Sequence, residues 1–194
     1  MHGSGRTVII DFNDSFTYNI FELLRTTGCR DISIQPISSL DVQQFEIPDR
    51  IILSPGPGLP DEYPEAFRLL DRLLNLSKPV PVLGICLGHQ LICSYFGAGL
   101  YNLDSVVHGQ PCLISKKADD SLFHGMPESF TVGLYHSWAV VKPLPQTLRI
   151  TAESKNGIIM AAAHENLPVW GIQFHPESFI SEYGEQLLTN FINL

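Results

Sequence analysis

Val80-Pro81-Val82-Leu83-Gly84-Ile85-Cys86-Leu87-Gly88-His89-Gln90-Leu91-Ile92-Cys93-Ser94-Tyr95-Phe96 changes its periodicity once, around Cys86. Residues 80–85 form a short apolar run suited to a buried strand, and residues 88–96 carry a helix. Gly84 and Gly88 flank Cys86 at i−2 and i+2, which is the nucleophile-elbow pattern with sulfur in place of oxygen. Such a turn is strained, so its neighbours must be small for the chain to fold tightly and expose the reactive atom. The helix that follows directs its positive end at Cys86 and favours thiolate over thiol. A lone cysteine is more often an inert core residue, but the paired glycines favour a catalytic one. Cys29, Cys93 and Cys112 lack that frame and are assigned to packing. A metal cluster of Cys86, His89 and Cys93 is the weaker alternative, because spacing supplies no second ligand pair and leaves both glycines unexplained.

Outward from this segment the strand-helix alternation continues. Residues 7–11, 32–35 and 50–54 predict strands, and residues 16–27 and 65–75 predict helices, the first with Ser15 as its cap. This is the pattern of an α/β protein with a mostly parallel central sheet and helices on both faces. Short strand-like runs at 110–115, 138–141, 148–151, 158–163 and 169–174 suggest an additional antiparallel region, and 182–193 a closing amphipathic helix. The 194 residues, 44% hydrophobic and 16% charged, suit a single domain over 1–194, with residues 1–6 as a loose N-terminus. The formal charge of −8 argues against nucleic acid and anionic membrane as partners. No apolar run is long enough for a membrane span, which leads to an expected cytoplasmic location with reduced thiols.

In Gly171-Ile172-Gln173-Phe174-His175-Pro176-Glu177-Ser178, the proline holds His175 extended, and an extended i, i+2 pair points to one side. His175 and Glu177 can thus converge as a base and the carboxylate that orients it. A histidine beside a proline is more often a turn residue, and His136 is a rival for the base role, whereas His108, His124 and His164 lack a suitably spaced acid. Ser54-Pro55-Gly56-Pro57-Gly58 follows another strand, so a parallel sheet brings it to the same edge as Cys86. In isolation it is an ordinary turn. Beside Cys86, a donor from Gly56 or Gly58 and the N–H of Leu87 could bind an oxyanion.

Gly84-Ile85-Cys86-Leu87-Gly88-His89-Gln90 and Gln173-Phe174-His175-Pro176-Glu177-Ser178 together resemble the class I glutamine amidotransferases, whose flavodoxin-like sheet matches the expected fold. Asp14-Ser15-Phe16-Thr17-Tyr18-Asn19, Ser54 to Gly58, His108-Gly109 and Tyr135-His136-Ser137 look like the subunits that feed chorismate-using synthases, anthranilate synthase component II and its 4-amino-4-deoxychorismate synthase counterpart. The resemblance implies a Cys86-His175-Glu177 triad, with L-glutamine held by Gly56, Pro57, Gly58, Leu87, Gln90 and the backbone around Ser137 and Trp138. It also implies a chorismate-binding synthase as partner, with anthranilate synthase ahead of its folate-pathway counterpart. It implies no cofactor in this chain, Mg2+ being expected only in the synthase. Phe12, where the family usually has asparagine, and Trp138, where leucine is common, depart from the pattern. The alternative functions are those of a cysteine hydrolase of peptides or glutamyl conjugates and of a non-catalytic binding subunit.

Overall fold

The computed structural model describes residues 5–194, so the first four residues of the expected loose terminus lie outside the described residues. The elements are β1 (Thr7–Asp11), α1 (Thr17–Thr26), β2 (Ile32–Pro36), β3 (Arg50–Leu53), α2 (Pro64–Leu74), β4 (Val82–Ile85) and α3 (Leu87–Tyr95). There follow β5 (Leu100–Lys116), β6 (Ser129–Val140), β7 (Leu148–Ser154), β8 (Ile159–His164), β9 (Val169–Ile172) and α4 (Gly184–Ile192). All nine strands join one sheet in the order β2-β1-β3-β4-β9-β8-β7-β5-β6. The pairs from β2 to β9 are parallel, and those from β9 to β6 are antiparallel. The fold class read from the sequence is therefore the observed one.

Alternation along the central strands explains why both faces are covered. Ile9, Ile52 and Leu83 pack with Ile20 and Leu24 of α1 and Leu187 and Leu188 of α4. Their neighbours Val8, Ile10, Ile51 and Val82 point the other way, onto Leu69, Leu70 and Leu73 of α2 and Leu91 of α3. Among the described residues no helix is long and apolar enough to cross a membrane, and all four cysteines are unpaired.

Two local expectations differ from the structure. Ser15 does not cap α1: Phe16 takes the cap position, and Asp14 Oδ1 accepts from the Phe16 N–H at 2.8 Å. Asp11 Oδ1 accepts from Asn13 N–H at 3.0 Å and from Thr17 Oγ1 at 2.7 Å. Two carboxylates outcompete one hydroxyl for the donors of this turn. The runs expected at 110–115 and 138–141 are parts of longer partners, β5 and β6, which pair along most of their length with a bulge on either side of Val107.

Candidate active site

Adjacent parallel strands end at the same edge, and here β3, β4 and β9 bring three segments together. The register sets Leu53 beside Gly84 and Ile85 beside Ile172, and the Cys86 N–H donates to the Ile172 carbonyl at 2.8 Å. Cys86 sits at φ 53°, ψ −102°, a backbone state that side chains with a Cβ rarely adopt. The flanking glycines are there for space. A methyl group on Gly84 would overlap the Gly88 carbonyl, and one on Gly88 would overlap the Leu53 carbonyl. Strand, turn and helix can pack this closely only without those side chains.

His175 follows β9, and its Nδ1 lies 2.7 Å from Glu177 Oε1, both side chains being buried. Its N–H donates to the Gly133 carbonyl at 3.1 Å, and Ser181 Oγ donates to its carbonyl at 2.5 Å. The rings of Phe16 and Tyr135 pack edge-on against the imidazole, at 4.9 and 4.8 Å between centroids. Gly184 lets the start of α4 press on Pro176, because a methyl group there would overlap the Pro176 carbonyl. The ring is thus held by Glu177, Phe16 and Tyr135, and its backbone by Gly133 and Ser181.

Burial pulls the pKa of His175 down, but its interactions with the Cys86 and Glu177 side chains, to the second of which Nδ1–H donates, outweigh burial and raise it to about 10. The folded value exceeds the unfolded one, so this contribution to stability is complete below about pH 6.5 and is lost as pH rises through about 10. The melting temperature of the wild-type protein relative to His175→Gln should therefore narrow steadily between those values. A constant difference across that range would contradict the assignment.

A cavity of about 290 Å³ opens beside the sulfur. Gly56, Pro57 and Gly58 form one side, Cys86, Leu87 and Gln90 line it from the elbow and α3, and Ser137 and Trp138 of β6 face them. Tyr135, His136 and Leu59 also line it, whereas His175 and Glu177 do not. Gly56 is needed for close approach, since a methyl group there would come within 2.7 Å of the Leu87 side chain and 2.5 Å of Phe12 Cβ. Phe12 is fully buried and packs edge-on against Tyr63 at 4.9 Å, so this departure from the family pattern supports the glycine loop from behind. Leu87 begins α3, where backbone N–H groups have no partner within the helix.

Trp138 contributes its main chain. Its carbonyl accepts from Gln90 Nε2 at 2.9 Å and lies 2.9 Å from His136 Nδ1. His136, the rival base, thus bonds a carbonyl instead of a carboxylate, and burial holds its pKa below the usual value. His89 is driven to about 3, first by burial and then by His136, against a raising hydrogen bond at Gly171. It packs against Cys93, whose thiol burial pushes up to about 12. Among the described residues no group of three or more His, Cys, Asp and Glu side chains could hold a metal ion.

Gln173 was not among the site residues expected from the sequence. Its side chain is fully buried; Oε1 accepts from Gln90 at 3.1 Å, and Nε2 donates to Cys86 Sγ at 3.6 Å. The signal was available, since an amide ending an apolar strand two residues before His175 shares its side of the chain.

The family model described as "Glutamine amidotransferase class-I" matches residues 8–194. The aminodeoxychorismate/anthranilate synthase component 2 of Bacillus subtilis (strain 168) is 36% identical over 189 residues, 95% of this chain and 94% of that protein. The anthranilate synthase component 2 of Saccharolobus solfataricus is 39% identical over 192 residues, covering 96% and 97%. A solved structure from Thermoplasma acidophilum, described as a GMP synthase subunit, superposes with a TM-score of 0.86 at 26% identity, covering all of this chain and 94% of that one. With a model match over nearly its whole length and relatives of equal span, the chain belongs to the class I glutamine amidotransferases.

Proposed function

We propose that this chain hydrolyses L-glutamine with Cys86 as nucleophile, His175 as proton carrier and Glu177 as the carboxylate that orients it, and delivers the ammonia to a chorismate-using synthase. The observation that carries the chemistry is the Glu177-to-His175 bond of 2.7 Å, beside the strained turn that lets the buried Cys86 line the cavity. The sulfur attacks the carboxamide carbon, and the N–H groups of Leu87 and Gly56 or Gly58 stabilise the oxyanion. His175 gives a proton to the amide nitrogen as the carbon–nitrogen bond breaks, releasing ammonia. Water, deprotonated by the same ring, then cleaves the thioester to glutamate and returns the thiol.

Glu177→Gln keeps the shape but removes the charge that holds the protonated ring. Its kcat for glutamine should fall about 10²- to 10⁴-fold with KM nearly unchanged. A kcat within threefold of wild type would remove Glu177 from the mechanism.

The partner reading is supported by relatives that bear the names of synthase components and by the chemistry of the product. Ammonia is mostly protonated at neutral pH and is then no nucleophile, so an enclosed route to the acceptor is useful. The first acceptor we assign is anthranilate synthase, with 4-amino-4-deoxychorismate synthase as the second reading, since the Bacillus subtilis relative bears both names. Reconstitution with each synthase separates them: glutamine-dependent product and a stable complex should form with the true partner, and neither with both synthases would refute the assignment. Assaying glutamine beside small peptide amides tests the hydrolase alternative.

A further inference from the structure

We propose that Gln173 is a positioning residue for the nucleophile: it donates a hydrogen bond to the Cys86 sulfur and, through Gln90, ties that sulfur to the Trp138 carbonyl in the pocket wall. The inference deepens the reading of Cys86 as nucleophile and rests on it.

The direction of this relay is fixed by one group that can only accept. A backbone carbonyl has no proton to give, so the Gln90 atom 2.9 Å from Trp138 O must be its NH2 group. That same NH2 group faces Gln173 at 3.1 Å, which requires the Gln173 carbonyl oxygen there. The Gln173 NH2 group is then turned toward Cys86 Sγ, at 3.6 Å. Reversing either amide would set two donors or two acceptors against each other at a buried site, at the cost of a lost bond. His136 Nδ1 occupies a second position on the Trp138 carbonyl, 2.9 Å away, and so braces the anchor of the relay.

A donor held against sulfur discriminates between its two states. A thiolate accepts strongly, whereas a neutral thiol accepts weakly and points its own proton elsewhere. That proton has the His175 ring and the Tyr135 carbonyl as alternative acceptors, the latter at the longer distance of 4.0 Å. Gln173 is completely buried, so water does not replace the donor when the side chain is removed. The relay also accounts for a buried polar residue directly after a strand whose members Val169, Gly171 and Ile172 are buried.

The test reads the sulfur directly. Alkylation of Cys86 by iodoacetamide is followed against pH in the full chain, with Cys86→Ala as the blank for the other three thiols. In Gln173→Leu the midpoint should move up by about one pH unit, with about a tenfold drop in the rate at neutral pH. In Gln173→Glu, which keeps the shape but sets a carboxylate against the sulfur, the upward shift should be larger. Profiles that superimpose on wild type in folded variants would overturn the proposal, because a packing role alone leaves the midpoint in place. A wild-type measurement covers the case in which both variants unfold. The assigned side-chain NH2 resonances of Gln173 should follow the Cys86 titration and stay still in Cys86→Ala; resonances unmoved through that titration refute the relay. Alkylation needs no glutamine turnover, so failure here with an inactive Cys86→Ala enzyme removes the relay alone. Full activity in Cys86→Ala would instead remove the nucleophile assignment.

Discussion

Cys86→Ala should lower glutamine hydrolysis at least about 10⁴-fold and leave the melting temperature within about 3 °C of wild type. The loss is large because the sulfur forms the bond that the proposed reaction depends on, and no other thiol stands in its place: Cys29, Cys93 and Cys112 do not line the cavity, and burial holds the Cys93 thiol up at about 12. The fold should tolerate the change because Cys86 lines a cavity, so the lost atom enlarges existing space instead of opening a void in a packed core. The strained backbone at φ 53° is equally costly for alanine, since both residues carry a Cβ. Cys86→Gly should accordingly be as inactive and more stable, by about 1 kcal/mol in urea unfolding. Measurable turnover by purified Cys86→Ala, or a collapse of its stability, would each contradict this account of the turn.

Gly84→Ala should be a severely damaging single methyl group. The added carbon would overlap the Gly88 carbonyl and lie against the His89 N–H at 2.7 Å, both of them backbone atoms of α3 that cannot rotate away. Relief requires the helix to move off the sheet, which also withdraws Cys86 and Gln90 from the cavity. A destabilisation of about 3 kcal/mol or more is expected, with lost activity in whatever folds. Gly28→Ala provides the contrast: Gly28 has φ +87° but nothing within 4 Å of the added carbon, so only backbone strain of about 1 kcal/mol is at issue. Equal penalties at the two positions would mean that crowding at the elbow is not what the glycine relieves.

The difference between those glycines shows what kind of information the sequence exposes. Gly84 and Gly88 could be read directly, because their spacing about Cys86 is itself the constraint, and the structure shows the carbonyls that enforce it. The continuous apolar run Val8-Ile9-Ile10 also predicts a buried strand, and both of its faces are covered, as found. His175 and Glu177 were paired by local geometry across a proline, and they do bond. Less was legible where the determining contact is remote. Strand β6 contains Gly133, His136 and Ser137 among its residues, which weaken a strand pattern, and its full length rests on pairing with β5. The exposed stretch of β5 around Asn102, Asp104 and Ser105 has no buried face to impose a period. Ser15 lost the cap because Asp11, six residues before Thr17, reaches into the turn. Gln173 was overlooked because its partners, Gln90 and Cys86, are 83 and 87 residues away.

Strand β6 is last in the sheet order, with β5 as its only neighbour there, yet it supplies the Tyr135-to-Trp138 side of the cavity and the Gly133 carbonyl that receives the His175 N–H. Terminal strands of a sheet detach more readily than central ones, having fewer bonds to break. The molecule is therefore built as a firm anvil, with the thiol in the turn after an interior strand, and a jaw at the margin. Because the Trp138 and Gly133 carbonyls of this margin hold Gln90 and His175, loosening the jaw would also slacken the hold on the thiol and its base.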